Sequence, residues 1–158
     1  MTLAVLAAAP ASAGQRYLGV FVGSQHIGSD AYNDFNPGLT YGYRWPVGTG
    51  STEWHVEGGV FFNSYEEVSP IAVVGLSTGV AELGGGEIRL GASVGIARYA
   101  ELSEIVERKY DIPTFGDYLP VAALTGSYRR NGVAYRLSVL PYGEDVEAVV
   151  NFSLAFDF

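Results

Sequence analysis

Cysteine is absent from all 158 residues. No disulfide framework, thiol nucleophile or cysteine-held metal is therefore open to the chain. Lysine is nearly absent too, Lys109 being the only one, and the formal net charge is -8. Phosphate recognition needs clustered Lys and Arg, so no nucleic-acid partner is expected. The two histidines, His26 and His55, fall on opposite ends of the expected architecture and no metal-ligand spacing accompanies them, so no metal site is expected. Gly84-Gly85-Gly86 sits in a hairpin signal rather than a phosphate-binding loop, and no cofactor is expected. Finally, no run approaches the about 20 apolar residues of a transmembrane helix, although 48% of the residues are hydrophobic. The apolar residues must be spread with a shorter period.

That period is two. Val150, Phe152, Leu154, Phe156 and Phe158 alternate with Asn151, Ser153, Ala155 and Asp157. A strand places successive side chains on opposite faces, and a lipid-facing strand puts every other residue into hydrocarbon. Eight such segments run roughly over 16–26, 38–45, 53–62, 70–82, 86–99, 118–129, 132–140 and 147–158. Short connections, with Asn131-Gly132 as a tight-hairpin signal, alternate with longer polar ones. The pattern predicts an all-β fold, an eight-stranded antiparallel transmembrane β-barrel in one domain over residues 14–158. Leu3 to Ala9, Pro10 and Ala11-Ser12-Ala13 fit the apolar core and cleavage site of a secretory signal peptide over residues 1–13. No basic residue precedes that run, so the recorded start is expected to lie within a longer signal. The expected location is the bacterial outer membrane, with the short turns periplasmic and the long loops outside.

Strand direction then sorts the faces. Leu39, Tyr41, Tyr43 and Trp45, with Trp54, Val56, Val60 and Phe62, belong outside, as do Leu90, Val94, Ile96, Tyr135, Leu137 and Val139. Tyr43, Trp45 and Trp54 gather where a periplasmic aromatic girdle belongs. Inward positions near that end include Arg44, His55, Glu57, Glu87, Arg89, Arg136 and Asp157, read as a self-neutralising structural plug with His55 as a hydrogen-bonded core histidine. Toward the other end the inward set turns small or apolar: Gly59, Phe61, Ile71, Val73, Gly75, Gly91, Gly95, Leu140 and Val149. Eight strands leave room for little more than side chains, so these glycines either open a slot for one slender acyl chain or only relieve crowding. At the rim above stand His26, Asn63 and Ser64, a histidine beside a hydroxyl that it could activate for acyl transfer. Both faces of the first segment are apolar, so the pattern leaves the direction of His26 open.

The run Trp54-His55-Val56-Glu57-Gly58-Gly59-Val60-Phe61-Phe62-Asn63-Ser64-Tyr65, continuing through Pro70-Ile71-Ala72-Val73-Val74-Gly75, resembles the corresponding strand-loop-strand of the lipid A palmitoyltransferase (PagP) family. Leu18 with His26, Tyr32-Asn33-Asp34, Leu119-Pro120 and Leu140-Pro141 agree in the same order. The resemblance implies an outer-membrane enzyme that moves a palmitoyl-type chain from a phospholipid donor to lipid A, acting as a monomer in the membrane. Under it the rim histidine falls on His26 and the rim serine on Ser64. Its acidic residue falls on Asn63, a departure, leaving an amide to orient the imidazole or bind an oxyanion. The floor of the family's acyl-chain pocket falls on Gly75, with Phe61, Ile71 and Val73 along its wall, and a lateral-gate proline on Pro141. The family's other gate proline falls on Phe21. Two alternatives stand beside transfer to lipid A or another outer-membrane lipid: a non-catalytic barrel that binds lipid, and an acyl hydrolase using the same His and Ser. Arg108 and Lys109 in the third long loop are read as solvated charges, with lipid A phosphates as the alternative partner.

Overall fold

A computed structural model describes residues 14–28, 33–110, 114–141 and 148–158. The expected signal segment lies outside these. The described residues form β1 (Gln15–Ile27), β2 (Gly38–Pro46), β3 (Thr52–Phe62), β4 (Val68–Leu83), β5 (Gly86–Arg98), α1 (Ala100–Tyr110), β6 (Tyr118–Arg130), β7 (Val133–Pro141) and β8 (Ala148–Asp157). Each strand pairs antiparallel with its sequence neighbours, and β8 returns to β1, closing an eight-stranded barrel. Closure removes the sheet edges that an open sheet would have to protect. Two of the turns at one end use backbone that favours glycine: Gly84 and Gly85 have φ of 57° and 79°, Asn131 and Gly132 of 51° and 77°. That end is the short-turn end; the other carries the long loops. The third long connection, expected only to be long and polar, holds α1.

The exterior is apolar along the barrel. Leu39, Tyr41, Val56, Val60, Leu90, Val94, Ile96, Tyr135, Leu137 and Val139 are all exposed. A soluble barrel would need polar side chains there, whereas hydrocarbon accepts this belt. At the short-turn end Tyr43 stacks obliquely on Trp45 at 5.8 Å, and Tyr41 meets Phe158 at 6.2 Å. Such rings suit the level at which lipid meets water.

The same end is filled with charge. Arg136 grips Glu57 with two hydrogen bonds, 2.7 and 3.2 Å, and Arg129 grips Glu53 in the same way at 2.8 and 3.2 Å. Arg89 reaches Glu87 at 2.7 Å and Glu53 at 3.1 Å, while Arg44 pairs with Asp157. Glu57 also accepts from the Tyr17 hydroxyl at 2.8 Å and from Thr40. Buried ions hold only when paired, and each member of this set has a partner of opposite charge. Glu53 and Arg129 were not singled out in the sequence, although they continue the inward parity of His55 and of Ser127.

Glu57→Ala is expected to lower stability by about 3–5 kcal/mol, because it leaves Arg136 as a buried charge without its partner. Urea unfolding in lipid vesicles measures this, and adding Arg136→Leu to the same chain is expected to recover most of the loss.

Candidate active site at the barrel mouth

His26 owes its direction to an irregularity in β1. Pairing with β8 runs Tyr17↔Asp157 to Phe21↔Ser153 and resumes at Gly23↔Phe152, so one extra residue is accommodated around Val22. An inserted residue reverses the side-chain parity of everything after it. Tyr17 and Phe21 face the lumen before the bulge, Ser24 and His26 after it. The reversal turns His26 toward the lumen, and its side chain is only 4% exposed.

Ser64 is held by the turn that follows β3. The buried Asn63 side chain accepts from the N–H groups of Tyr65 and Glu67 at 2.9 and 3.0 Å, which folds the chain back on itself. Its amide nitrogen donates to Ser69 at 2.9 Å. The Glu67 carboxylate then reaches the neighbouring loop by accepting from Ala100 N–H at 3.1 Å, at the start of α1, where a negative group meets unpaired helix N–H groups. Two loops of the mouth are thus tied together through the residues around Ser64.

The turn brings Ser64 Oγ to 2.9 Å from His26 Nε2. On the other side of the ring His26 Nδ1 lies 3.0 Å from an Asp34 carboxylate oxygen. An ionised carboxylate only accepts, so the proton belongs on Nδ1 and Nε2 is left to accept from the serine hydroxyl. Asp34 is pinned there by the Ser24 N–H, which donates to the Asp34 carbonyl at 2.8 Å. Gly23 permits that approach, since a Cβ at this position would fall 2.8 Å from the same carbonyl oxygen. Asp34 is 62% exposed, so its charge is shared with solvent and its part is chiefly orientation.

His26 and Ser64 open onto a cavity of about 190 Å³ that runs down the barrel to the plug. Phe61, Ile71, Val73, Leu140 and Val149 line it, as the parity of their strands predicts. Gly75 does not lie on its wall. The space over Gly75 is taken by the His55 ring, whose Cε1 would be 2.5 Å from a Cβ there, so His55 faces the cavity instead. Gly59 and Gly95 likewise serve close contact with the adjoining strand, as Cβ atoms on them would meet the carbonyl oxygens of Leu39 and Ala72. Of the two readings of the inward glycines, relief of crowding describes these three.

The barrel wall beside the mouth is incompletely paired. β6 pairs with β5 from Arg98↔Tyr118 onward, but with β7 only from Leu124↔Val139 to Arg130↔Val133. Among the described residues, the edge from Tyr118 to Ala123 therefore has no partner on β7. Pro120 and Pro141 flank this gap, and neither has an N–H with which to close it. Between β1 and β2, pairing ends at Phe21↔Gly38, and the Asp34 hydrogen bond to Ser24 stitches the continuation.

Of the residues singled out in the sequence, His26 and Ser64 come together and Pro141 stands at the gap. Asn63 lies in the serine's turn, and among the described residues its hydrogen bonds go to that turn and to Ser69 rather than to His26. Asp34, noted only as part of the Tyr32-Asn33-Asp34 run, is the group on the imidazole. Nothing local marks it, because it reaches His26 through loop closure. Arg108 is exposed on α1, and the Lys109 side chain lies outside the described residues.

A fluorophosphonate probe is expected to label Ser64 in the folded barrel. His26→Ala should slow labelling by about 10²–10⁴-fold, the usual worth of a positioned base. Asp34→Asn should slow it by about tenfold, less than the about 10⁴-fold known for a buried orienting acid, and Asn63→Asp less still.

No protein-family model and no curated protein matches the chain. Among solved structures it is similar to a chain from work described as "De novo design of transmembrane beta-barrels", with a TM-score of 0.51 and 14% identity over 91% of this chain and 95% of the other. At that identity the likeness concerns the fold: a closed eight-stranded antiparallel barrel of the transmembrane type.

Proposed function

We propose that this protein is a bacterial outer-membrane acyltransferase of the lipid A palmitoyltransferase type, which moves a palmitoyl-type chain from a phospholipid to lipid A or another outer-membrane lipid. The observation that carries the reading is Ser64 Oγ at 2.9 Å from His26 Nε2, with Asp34 behind the ring, at the mouth of a narrow cavity that reaches down to the ion pairs. Hydroxyl, imidazole and carboxylate in this order are what acyl transfer uses. The apolar exterior supports residence in a bilayer, and the unpaired stretch between β6 and β7 supports entry of a lipid from the side.

The chemistry is a double displacement. His26 Nε2 takes the proton of Ser64 as Oγ attacks the ester carbonyl of a phospholipid. The tetrahedral intermediate collapses by breaking the bond to the glycerol oxygen, which receives that proton from His26 and departs as lysophospholipid. An acceptor hydroxyl then gives its proton to His26, attacks the acyl-serine and leaves with the chain, and the proton returns to Ser64. No cofactor enters, and one monomer holds every group. Asp34 keeps the imidazole in the useful tautomer throughout. Asn63 shapes the turn that presents the serine.

Expression with a working signal peptide in an outer-membrane host lacking its own palmitoyltransferase tests this. Lipid A mass spectrometry is expected to show a gain of one acyl chain, lost in His26→Ala and Ser64→Ala and reduced in Asp34→Asn. Loss of an acyl chain would replace transfer by hydrolysis, and unchanged lipid A with a folded barrel would leave a lipid-binding barrel.

The side entry has its own test, made simple by the absence of native cysteine. Leu124↔Val139 is the last matched β6–β7 pair, so Ala123 and Leu140 are next in register. An Ala123→Cys/Leu140→Cys chain is expected to lose activity when oxidised and regain it with dithiothreitol.

A further inference from the structure

Two phenylalanine rings in the long loops belong neither to the candidate triad nor to the cavity or the plug. Phe35, between β1 and β2, is 67% exposed, and Phe115, just ahead of β6, is 75% exposed. Loose backbone does not account for them. The Phe35 N–H donates to Asn33 Oδ1 at 2.9 Å, and the carbonyl of the preceding Asp34 accepts from Ser24 N–H at 2.8 Å. Phe115 exchanges two backbone hydrogen bonds with Tyr118, at 3.0 and 3.3 Å. Pinned backbone therefore holds both rings outward. In water each would forgo the burial that a large apolar side chain otherwise gains.

Single exposed apolar side chains are ordinary on a soluble surface, so position is what sets these two apart. Toward the mouth the outer belt includes Phe62, Val68 and Ile96, all exposed. Ile96 pairs with Pro120, and two residues further toward the mouth stands Tyr118, which Phe115 bridges. Phe62 N–H donates to the Pro37 carbonyl at 2.8 Å, and Phe35 lies two residues beyond Pro37. Two residues of strand rise about 7 Å at most. That matches the headgroup layer on each side of the hydrocarbon, about 5–8 Å thick, so a ring turned down from this level meets acyl chains.

The β1–β2 and β5–β6 loops are four strands apart in an eight-stranded ring, which puts the two phenylalanines on opposite sides of the mouth. A protein partner would need a continuous patch of about 800 Å² to bind stably, and two separated rings do not supply one. A bilayer surrounds the barrel and covers both at once. Each ring also stands over incomplete pairing. Phe115 is at the head of the β6 edge that lacks a β7 partner among the described residues, and Phe35 lies beyond the last β1–β2 pair, Phe21↔Gly38.

We propose that Phe35 and Phe115 form a lipid-contact surface on opposite sides of the mouth, their rings immersed in the acyl chains of the adjoining leaflet. There they hold the loops against the membrane beside the two incompletely paired seams. The partner is hydrocarbon, since neither ring offers a polar group and both extend a belt that is already apolar. The inference rests on the transmembrane reading of the barrel and not on turnover.

The absence of cysteine makes depth measurable. Phe35→Cys, Phe115→Cys and Thr49→Cys, the last in an exposed short turn at the other end, each receive one nitrobenzoxadiazole label in the full chain. The chains are refolded into phosphatidylcholine nanodiscs, which are open to solution on both faces. Labels at 35 and 115 are expected to be quenched by phosphatidylcholine that carries a nitroxide on its acyl chain. They should be about tenfold less sensitive than the Thr49 label to aqueous iodide, as a ring-sized apolar group prefers hydrocarbon by at least that factor. The label is itself apolar, so an unlabelled chain gives the second measurement. In a Phe35→Ser/Phe115→Ser chain, amide hydrogen exchange over residues 33–37 and 114–117 is expected to quicken about tenfold in the same nanodiscs, with the strands unchanged. Iodide sensitivity at 35 and 115 equal to that at 49 overturns the surface, as does loop exchange that is the same in both chains. Lipid quenching and quickened loop exchange in a barrel that leaves lipid A unchanged would keep the surface and remove the transferase reading.

Discussion

The Glu57 carboxylate is the point on which the interior turns. It lies among Arg136, Thr40 and Tyr17, and the Tyr17 ring in turn lies under the guanidinium groups of Arg44 and Arg136 at 4.9 and 5.8 Å. Eight strands enclose too little space for water to solvate such a charge, so every one of its lone pairs must find a protein donor. Satisfying it fixes residues on β1, β2, β3 and β7 at one level. The barrel is thus filled with paired charge at one end and lined with apolar groups above. His26 and Ser64 stand at the other end, above the apolar stretch.

The mouth is organised by a different means. Its order comes from side chains that bind backbone: Asn63 folds the Ser64 turn, Glu67 caps α1, Ser69 donates to the Arg98 carbonyl, and Arg98 holds Asp117 at 2.7 Å. The aromatic rings of Phe61, Tyr65 and Tyr99 pack edge to face among these loops, at 5.9 and 6.5 Å. A polar turn and an aromatic cluster together keep the serine hydroxyl within reach of the imidazole. Loops so tied are a better platform for chemistry than loops free to fray.

Much of the fold was legible because strand parity is a strong signal. All eight strands fall within a few residues of their expected bounds, and Leu39, Val94 and Leu137 face outward as their spacing requires. The charged plug was legible in the same way, through Arg44, Glu57 and Arg136, and fell short only by Glu53 and Arg129. The helix α1 was not, since eleven residues between polar loop ends carry no strand period and only a weak helical one. In the candidate site His26 and Ser64 were legible by type and position. Asp34 was not, because a contact made by a returning loop leaves no trace in local spacing. Asn63 drew attention because the resemblance sets an acidic residue there, while its hydrogen bonds serve the turn and Ser69. Gly75 drew it for the space it seemed to leave, and the His55 ring fills that space.

The bulge in β1 has a bearing on how such barrels change over time. A strand in a closed sheet can gain or lose one residue at an irregularity without disturbing its pairing below that point. Everything above it then exchanges lumen for lipid. In β1 that single position decides whether an imidazole stands over the cavity or Gln25 and Ile27 do. The distance between a passive barrel and one with reactive groups in its mouth is therefore one codon, a frame within the strand, with no change in the number of strands, the plug or the outer belt.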